Sequence, residues 1–107
     1  MKIVGVSSCS IGIAHTYMAA ESVEKYFRKL GHEVKMERDG SLGPENAITD
    51  DEIRDADIII LALDGDLDSP WRFEGYENKT VEVSAAVALR TPEKIQSLLV
   101  ERGLLQE

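Results

Sequence analysis

Cysteine occurs once in this 107-residue chain, at position 9. A lone thiol forms no internal disulfide, and there is no Cys-x-x-Cys pair to grip a metal or run a dithiol redox cycle. Cys9 is therefore either a small buried hydrophobe or a reactive thiol. Long apolar runs are missing as well: the longest unbroken one covers residues 58–63, far short of the roughly 20 residues that cross a bilayer. At the amino end one lysine precedes an apolar stretch over 3–6, too short for a secretory signal, and Cys9 lies too near Met1 for a lipoprotein attachment site. A cytoplasmic protein is the expectation. Basic residues are in the minority, 12 against 20 acidic, giving a net charge of −8, so the average field repels nucleic acid phosphates and anionic lipid and argues against nucleic acid as a partner. No glycine, proline or serine tract interrupts a composition of 43% hydrophobic and 30% charged residues. That balance belongs to a folded globular protein, and the length to a single domain over 1–107, expected as a separate polypeptide.

What is present is an alternation of two periodicities. Residues 2–6 (KIVGV) are short, β-branched and apolar, and 33–38 (EVKMER) alternate with Val34 and Met36 on one face, so both read as strands. Residues 58–63 (IIILAL) are continuously apolar, the pattern of a central strand covered on both faces, and 80–83 (TVEV) form a fourth candidate. Between the first two, Ala20, Val23, Phe27 and Leu30 recur at helical spacing over 13–30, with Glu21/Lys25 and Glu24/Arg28 as i,i+4 pairs and Gly31 as the stop. Thr49 and Glu52 fit a capping box that opens a short helix to about 56. Thr91 followed by Pro92 predicts a last helix over 92–102, ended by Gly103. Strand, helix, strand in this order requires right-handed crossovers, and predicts a three-layer α/β/α domain around a mainly parallel four-stranded sheet. In such sheets ligands bind beyond the carboxyl ends of the strands, where Cys9 follows the first strand.

Five residues separate Cys9 from His15, and Thr16 follows. A strand-to-helix loop of that length can wrap a tetrahedral anion with successive backbone N–H groups, while Gly12 admits the dihedrals a cradle needs. The positive end of the following helix adds to the attraction and favours a thiolate, whose pKa in such positions falls to about 3.5–7.5. A phosphoryl group is the natural electrophile for this pocket. The plainer alternative is that Cys9 packs beneath the turn. His15 donates to a bound phosphate or simply fills space. Thr16 bonds the thiolate sulfur or, as its default, returns its hydroxyl to the backbone. Ser10 is equally a turn residue, and Ser7 and Ser8 have no base partner and read as the end of the strand.

At these residues the sequence resembles the fructose-type enzyme IIB components of the bacterial phosphoenolpyruvate-dependent sugar phosphotransferase system. Their active loop typically reads C-P-T-G-I-A-H-T followed by x-M-A-A-E; residues 9–21 here read CSIGIAHTYMAAE, and HEVKMERDGSLGPEN over 32–46 resembles the family's second strand and following loop. The likeness covers nearly the whole chain. It implies that Cys9 accepts a phosphoryl group from a phosphohistidine of enzyme IIA and passes it to fructose or a fructose-like sugar bound by the membrane enzyme IIC. Ser10, Ile11, Gly12, Ile13, Ala14, His15 and Thr16 would surround the phosphoryl group, with no metal or cofactor. The domain would be a cytoplasmic phosphotransferase, monomeric as the simplest expectation, and transiently at the inner membrane face through enzyme IIC. Ser10 and Ile11 stand where the family usually has proline and threonine, Asp39 where glutamine is common, and Ser69-Pro70-Trp71 has the character of an insertion.

Two other readings share the pattern. A low-molecular-weight tyrosine phosphatase carries Cys-x5-Arg-Ser/Thr, but His15 occupies the arginine position and lacks its bidentate grip; Asp64, Asp66 or Asp68 would have to supply the acid. A docking or regulatory module could retain the fold without transferring phosphate. An EF-hand reading of 64–75 fails because Ser69 and Gly75 replace the required glycine and glutamate, and Cys9 with His15 supplies too few zinc ligands. Trp71, Arg72 and Phe73 either join a partner surface or cover the core, and His32 reads as a surface residue.

Overall fold

The computed structural model describes residues 1–9, 13–40, 43–64 and 73–105, with the backbone alone at 9, 13–15, 39, 40, 43–45 and 64. Strand β1 (Lys2–Cys9) leads to helix α1 (Ile13–Lys29), β2 (Glu33–Gly40), β3 (Gly43–Glu45), α2 (Asp50–Asp55), β4 (Ile58–Asp64), a 3-10 turn over Glu77–Lys79, β5 (Thr80–Val83), α3 (Ala85–Arg90) and α4 (Glu93–Glu101). The sheet order is β3-β2-β1-β4-β5. The four expected strands run parallel, with Ile3 beside Val34 on one side and Ile58 on the other. The correction is a fifth strand, β3, which folds back antiparallel on the end of β2 at one edge. Three residues with a glycine and a proline carry too little periodicity to be read in advance.

Alternation along the strands builds two cores. Ile3, Val34, Met36, Ile58, Ile60, Ala62 and Val81 face α1, α3 and α4, while Val4, Val6, Ile59 and Leu61 face Ile53 and Ala56 at α2, together with Ile48 and Phe73. The run Ile58, Ile59, Ile60 has no exposed surface on either face, which is why it reads as an unbroken apolar string instead of an alternation. Phe73 thus belongs to the core; Trp71 and Arg72 lie outside the described residues.

Helix ends follow their local chemistry. Gly31 takes a φ of 93°, the Gly31 N–H reaches the Arg28 carbonyl and the His32 N–H reaches Phe27, closing α1 in a Schellman turn. The helix therefore stops at Lys29, and Leu30, expected on its buried stripe, is turned outward to 44% exposure. Thr49 and Glu52 form the capping box of α2 in both directions. Thr91 does not cap α4. Its N–H and its hydroxyl both bond the Val87 carbonyl, so it closes α3, a helix capped by Ser84 that the sequence pattern did not disclose, and Pro92 opens α4. The Glu21/Lys25 pair is a surface contact of 2.8 Å. Glu24 instead turns inward, with 7% of its side chain exposed, and binds Arg38 of β2 as well as Arg28.

Candidate functional site

β1 is the middle strand of the sheet, and the chain leaves it in one direction through α1 to β2 and returns past it through α2 to β4. The crevice beyond the carboxyl ends of β1 and β4 is therefore the topological switch point, where open α/β sheets bind ligands. Cys9 is the last residue of β1 and lies in register with Asp64, the last residue of β4. Two of the residues singled out by sequence are thus neighbours across one strand pair. Asp66 and Asp68 lie outside the described residues.

Four positions after Cys9, α1 begins at Ile13. Its 17 residues carry no acidic side chain in the first turn and Arg28 and Lys29 in the last. The cations complement the negative end of the helix dipole, whereas the positive end, facing the switch point, has no carboxylate of its own. The free backbone N–H groups of a helix's first turn attract an anion. Ile13, Ala14, His15 and Thr16 form that first turn; Ser10, Ile11 and Gly12 lie outside the described residues.

Thr16 departs from its expected default. Its side chain is completely buried, yet Oγ1 has no hydrogen-bond partner among the described residues, so the hydroxyl is not returned to their backbone. A buried hydroxyl without a partner costs about 1–3 kcal/mol, and such atoms are rare enough to call for a reason. The carbonyl of the same residue is occupied: Ser7 Oγ donates to it across 2.8 Å, from a side chain that is itself fully buried. Ser7 and Ser8 do not end the strand as expected, because β1 continues to Cys9. Sequence reading missed the role of Ser7. The one available signal was a small polar residue between Val6 and Cys9 in a strand buried on both faces.

Around this region the electrostatics are structural. Glu24 joins Arg38 and Arg28 on the α1 side of β2, and Arg38 also donates to the Met36 carbonyl at 2.9 Å. On the other face Glu37 is 2% exposed and accepts the Ile48 N–H at 3.1 Å, holding the segment that leads into α2. The Lys35 ammonium holds the Glu52 carboxyl below its ordinary range, helped by the Thr49 backbone N–H. A cavity of about 570 Å³ opens at the opposite end of the sheet, among Met1, Leu30, His32, Gln96 and Leu104. His32 there is half-buried, and burial pushes its imidazole below the usual value, reinforced by the amino terminus. It is remote in topology from Cys9, because Met1 and His32 precede strands whose other ends form the switch point. Among the described residues no three His, Cys, Asp or Glu side chains gather to hold a metal, and no helix is long and apolar enough to cross a membrane.

A doubly wound domain whose central strand ends in a cysteine at the switch point, shortly before a long helix with no acidic residue in its first turn, defines a class of small α/β domains. Comparison with known proteins narrows this. The chain belongs to the family described as PTS system, Lactose/Cellobiose specific IIB subunit, whose model matches residues 4–98. Its relatives point to the fructose-type branch. It is 40% identical over 104 residues to the PTS system fructose-specific EIIB'BC component of Xanthomonas campestris, covering 96% of this chain and 17% of that protein. It is 43% identical over 86 residues to the PTS system fructose-like EIIB component 2 of Escherichia coli K12, covering 80% and 81%. The crystal structure of a predicted fructose-specific IIB from Escherichia coli superposes with a TM-score of 0.86 at 37% identity, over 98% of this chain and 90% of that one. This chain spans about a fifth of the length of the longer relatives, whose names join EIIB to further components. It is a fructose-type IIB domain of the phosphotransferase system.

Proposed function

We propose that Cys9 is the phosphoryl carrier of this domain. In the first step its thiolate attacks the phosphorus of a phosphohistidine on enzyme IIA: the S–P bond forms, the P–N bond breaks, and the electron pair returns to the imidazole. In the second, a hydroxyl of fructose or a fructose-like sugar on the membrane enzyme IIC attacks the same phosphorus. The O–P bond forms, the S–P bond breaks, the hydroxyl proton leaves to solvent or a base of IIC, and the thiolate is restored. Catalysis of this kind is positioning and charge stabilisation. No metal or cofactor takes part.

The observation that carries this reading is the placement of Cys9 at the switch point, four residues before the start of a long helix whose first turn has no carboxylate. The residues from Ser10 to Thr16 would surround the phosphoryl group, with backbone N–H groups of Ser10, Ile11, Gly12, Ile13 and Ala14 and the His15 imidazole as donors. The Thr16 hydroxyl, unpartnered among the described residues, would bond sulfur or a phosphoryl oxygen. Histidine in place of a phosphatase arginine suits a carrier, whose thiophosphate must outlive contact with water until its acceptor arrives. The domain acts as a monomer on the cytoplasmic side, meeting the inner membrane face through IIC.

Phosphorylated IIA is mixed with the domain and the tryptic peptide containing Cys9 is followed by mass spectrometry. One phosphoryl group on that peptide, absent from Cys9→Ser, is the expected result. Release of free phosphate from an aryl phosphate without a stable adduct would replace the carrier by a phosphatase, and no label from any phosphorylated IIA would leave a docking module.

A further inference from the structure

The segment that would form the phosphoryl pocket is bridged at its base by a hydrogen bond between two buried residues. Ser7 lies two residues before Cys9, Thr16 seven residues after it, and the Ser7 hydroxyl donates to the Thr16 carbonyl at 2.8 Å. Both residues are completely buried, so water offers no substitute for the bond. The strand side is rigid. Ser7 sits between Arg38 of β2 and Ala62 of β4 in a parallel ladder on both sides. The helix side is the first turn of α1, a helix that is also tied further along, from Ser22 to the Leu89 carbonyl and from Glu24 to Arg38.

We propose that Ser7 is a positioning residue for phosphoryl transfer: its hydroxyl locks the first turn of α1 to the carboxyl end of β1, so that the helix N–H groups and the Thr16 hydroxyl keep a fixed aim on the group carried by Cys9. The inference rests on the carrier reading of Cys9. An apolar side chain at this position would hold the helix by packing, which is non-directional and tolerates sliding, whereas a hydrogen bond weakens steeply with angle and distance. Stabilisation by oriented N–H groups depends on that fixity, because they act without reorganising when charge arrives. A misplacement of about 1 Å in such a site costs up to about a hundredfold in rate. Removing one clamp while the packing remains should cost about tenfold.

Ser7→Ala tests this beside Ser22→Ala, which deletes the same kind of hydroxyl-to-carbonyl bond from the same helix, away from Cys9. Two readouts are taken: the rate of phosphoryl acceptance from phosphorylated IIA, and the pH profile of Cys9 alkylation by iodoacetamide, with thermal unfolding of every variant alongside. Ser7→Ala is expected to slow acceptance about tenfold and to move the alkylation profile to higher pH, while Ser22→Ala leaves both near the wild type at a comparable loss of stability. Should Ser7→Ala fail to fold, Ser7→Cys keeps the volume and weakens the bond, with peptide-resolved mass spectrometry separating the two thiols; the same shifts are expected of it. Unchanged acceptance and alkylation in the Ser7 variant, or equal effects from Ser22→Ala, overturn the proposal and leave the carrier reading standing. If wild-type Cys9 takes no phosphoryl group at all, the carrier reading fails, and the alkylation profile then decides alone whether Ser7 positions the helix.

Discussion

Replacing the Thr16 hydroxyl by a methyl group should make this protein more stable and less able to carry phosphate. Thr16→Val is nearly isosteric, and valine and threonine have similar helix propensities. In the wild type Oγ1 is buried without a partner among the described residues, a desolvation cost of about 1–3 kcal/mol. The new methyl lies in a fully enclosed site, where a buried carbon contributes up to about 0.8 kcal/mol. The Ser7 bond goes to the main-chain carbonyl and survives the change. Allowing for imperfect fit of the methyl, the net gain is about 1–2 kcal/mol, a rise in Tm on the order of 5–15 °C for a domain of this size. Urea unfolding followed by circular dichroism measures it as a higher midpoint at unchanged slope. Phosphoryl acceptance from phosphorylated IIA should fall in the same variant, by about tenfold for one lost hydrogen bond to a charged group. A Thr16→Val protein less stable than the wild type would show that the hydroxyl is bonded in the folded state, and the case for its serving a ligand would go with it.

Gly5→Ala should destabilise, although alanine for glycine within a strand ordinarily gains about 0.5–1 kcal/mol. A Cβ there would sit 2.1 Å from the Ile60 carbonyl oxygen and 2.7 Å from Met36 Sδ; the sulfur can move, but the carbonyl belongs to β4, so a loss of about 3 kcal/mol or more in urea unfolding is expected, unrelieved by adding Met36→Ala. Arg38→Met leaves the buried Glu24 with the 3.5 Å contact of Arg28 alone and should cost about 2–3 kcal/mol, largely recovered in the double variant with Glu24→Gln; equal losses in single and double variants would refute the pairing. Glu52→Gln should lower Tm at neutral pH and converge on the wild type in acid. The Glu52 carboxyl is held below its ordinary range by Lys35 and the Thr49 N–H, so its contribution is whole above the unfolded-state pKa and disappears as pH falls through the lower folded value; a gap that persists unchanged in acid would contradict this.

Much of the fold was legible because its signals are local. The capping box at Thr49 and Glu52, the stops at Gly31 and Gly103, and the fully buried run of β4 each depend on neighbours within a few residues. Where local signals competed, reading failed. Thr91 before Pro92 looked like an N-cap, but the hydroxyl closes α3 instead. Glu24 looked like half of a surface helix pair, but β2 brings Arg38 against it and draws it inward. Leu30 matched the helical stripe and was turned outward by the glycine that follows.

The sequence by itself determined that there is one thiol, that it lies between a strand and a long helix, and that the helix begins without an acidic residue; these are matters of order along the chain. Only the tertiary structure decided that β1 is the middle strand, that Cys9 stands beside Asp64 at the switch point, and that Ser7 and Thr16 meet. Strand order and burial are set by which faces pack together over long separations in the chain. A hydroxyl's partner, or its lack of one, becomes a physical fact only once water has been excluded from around it.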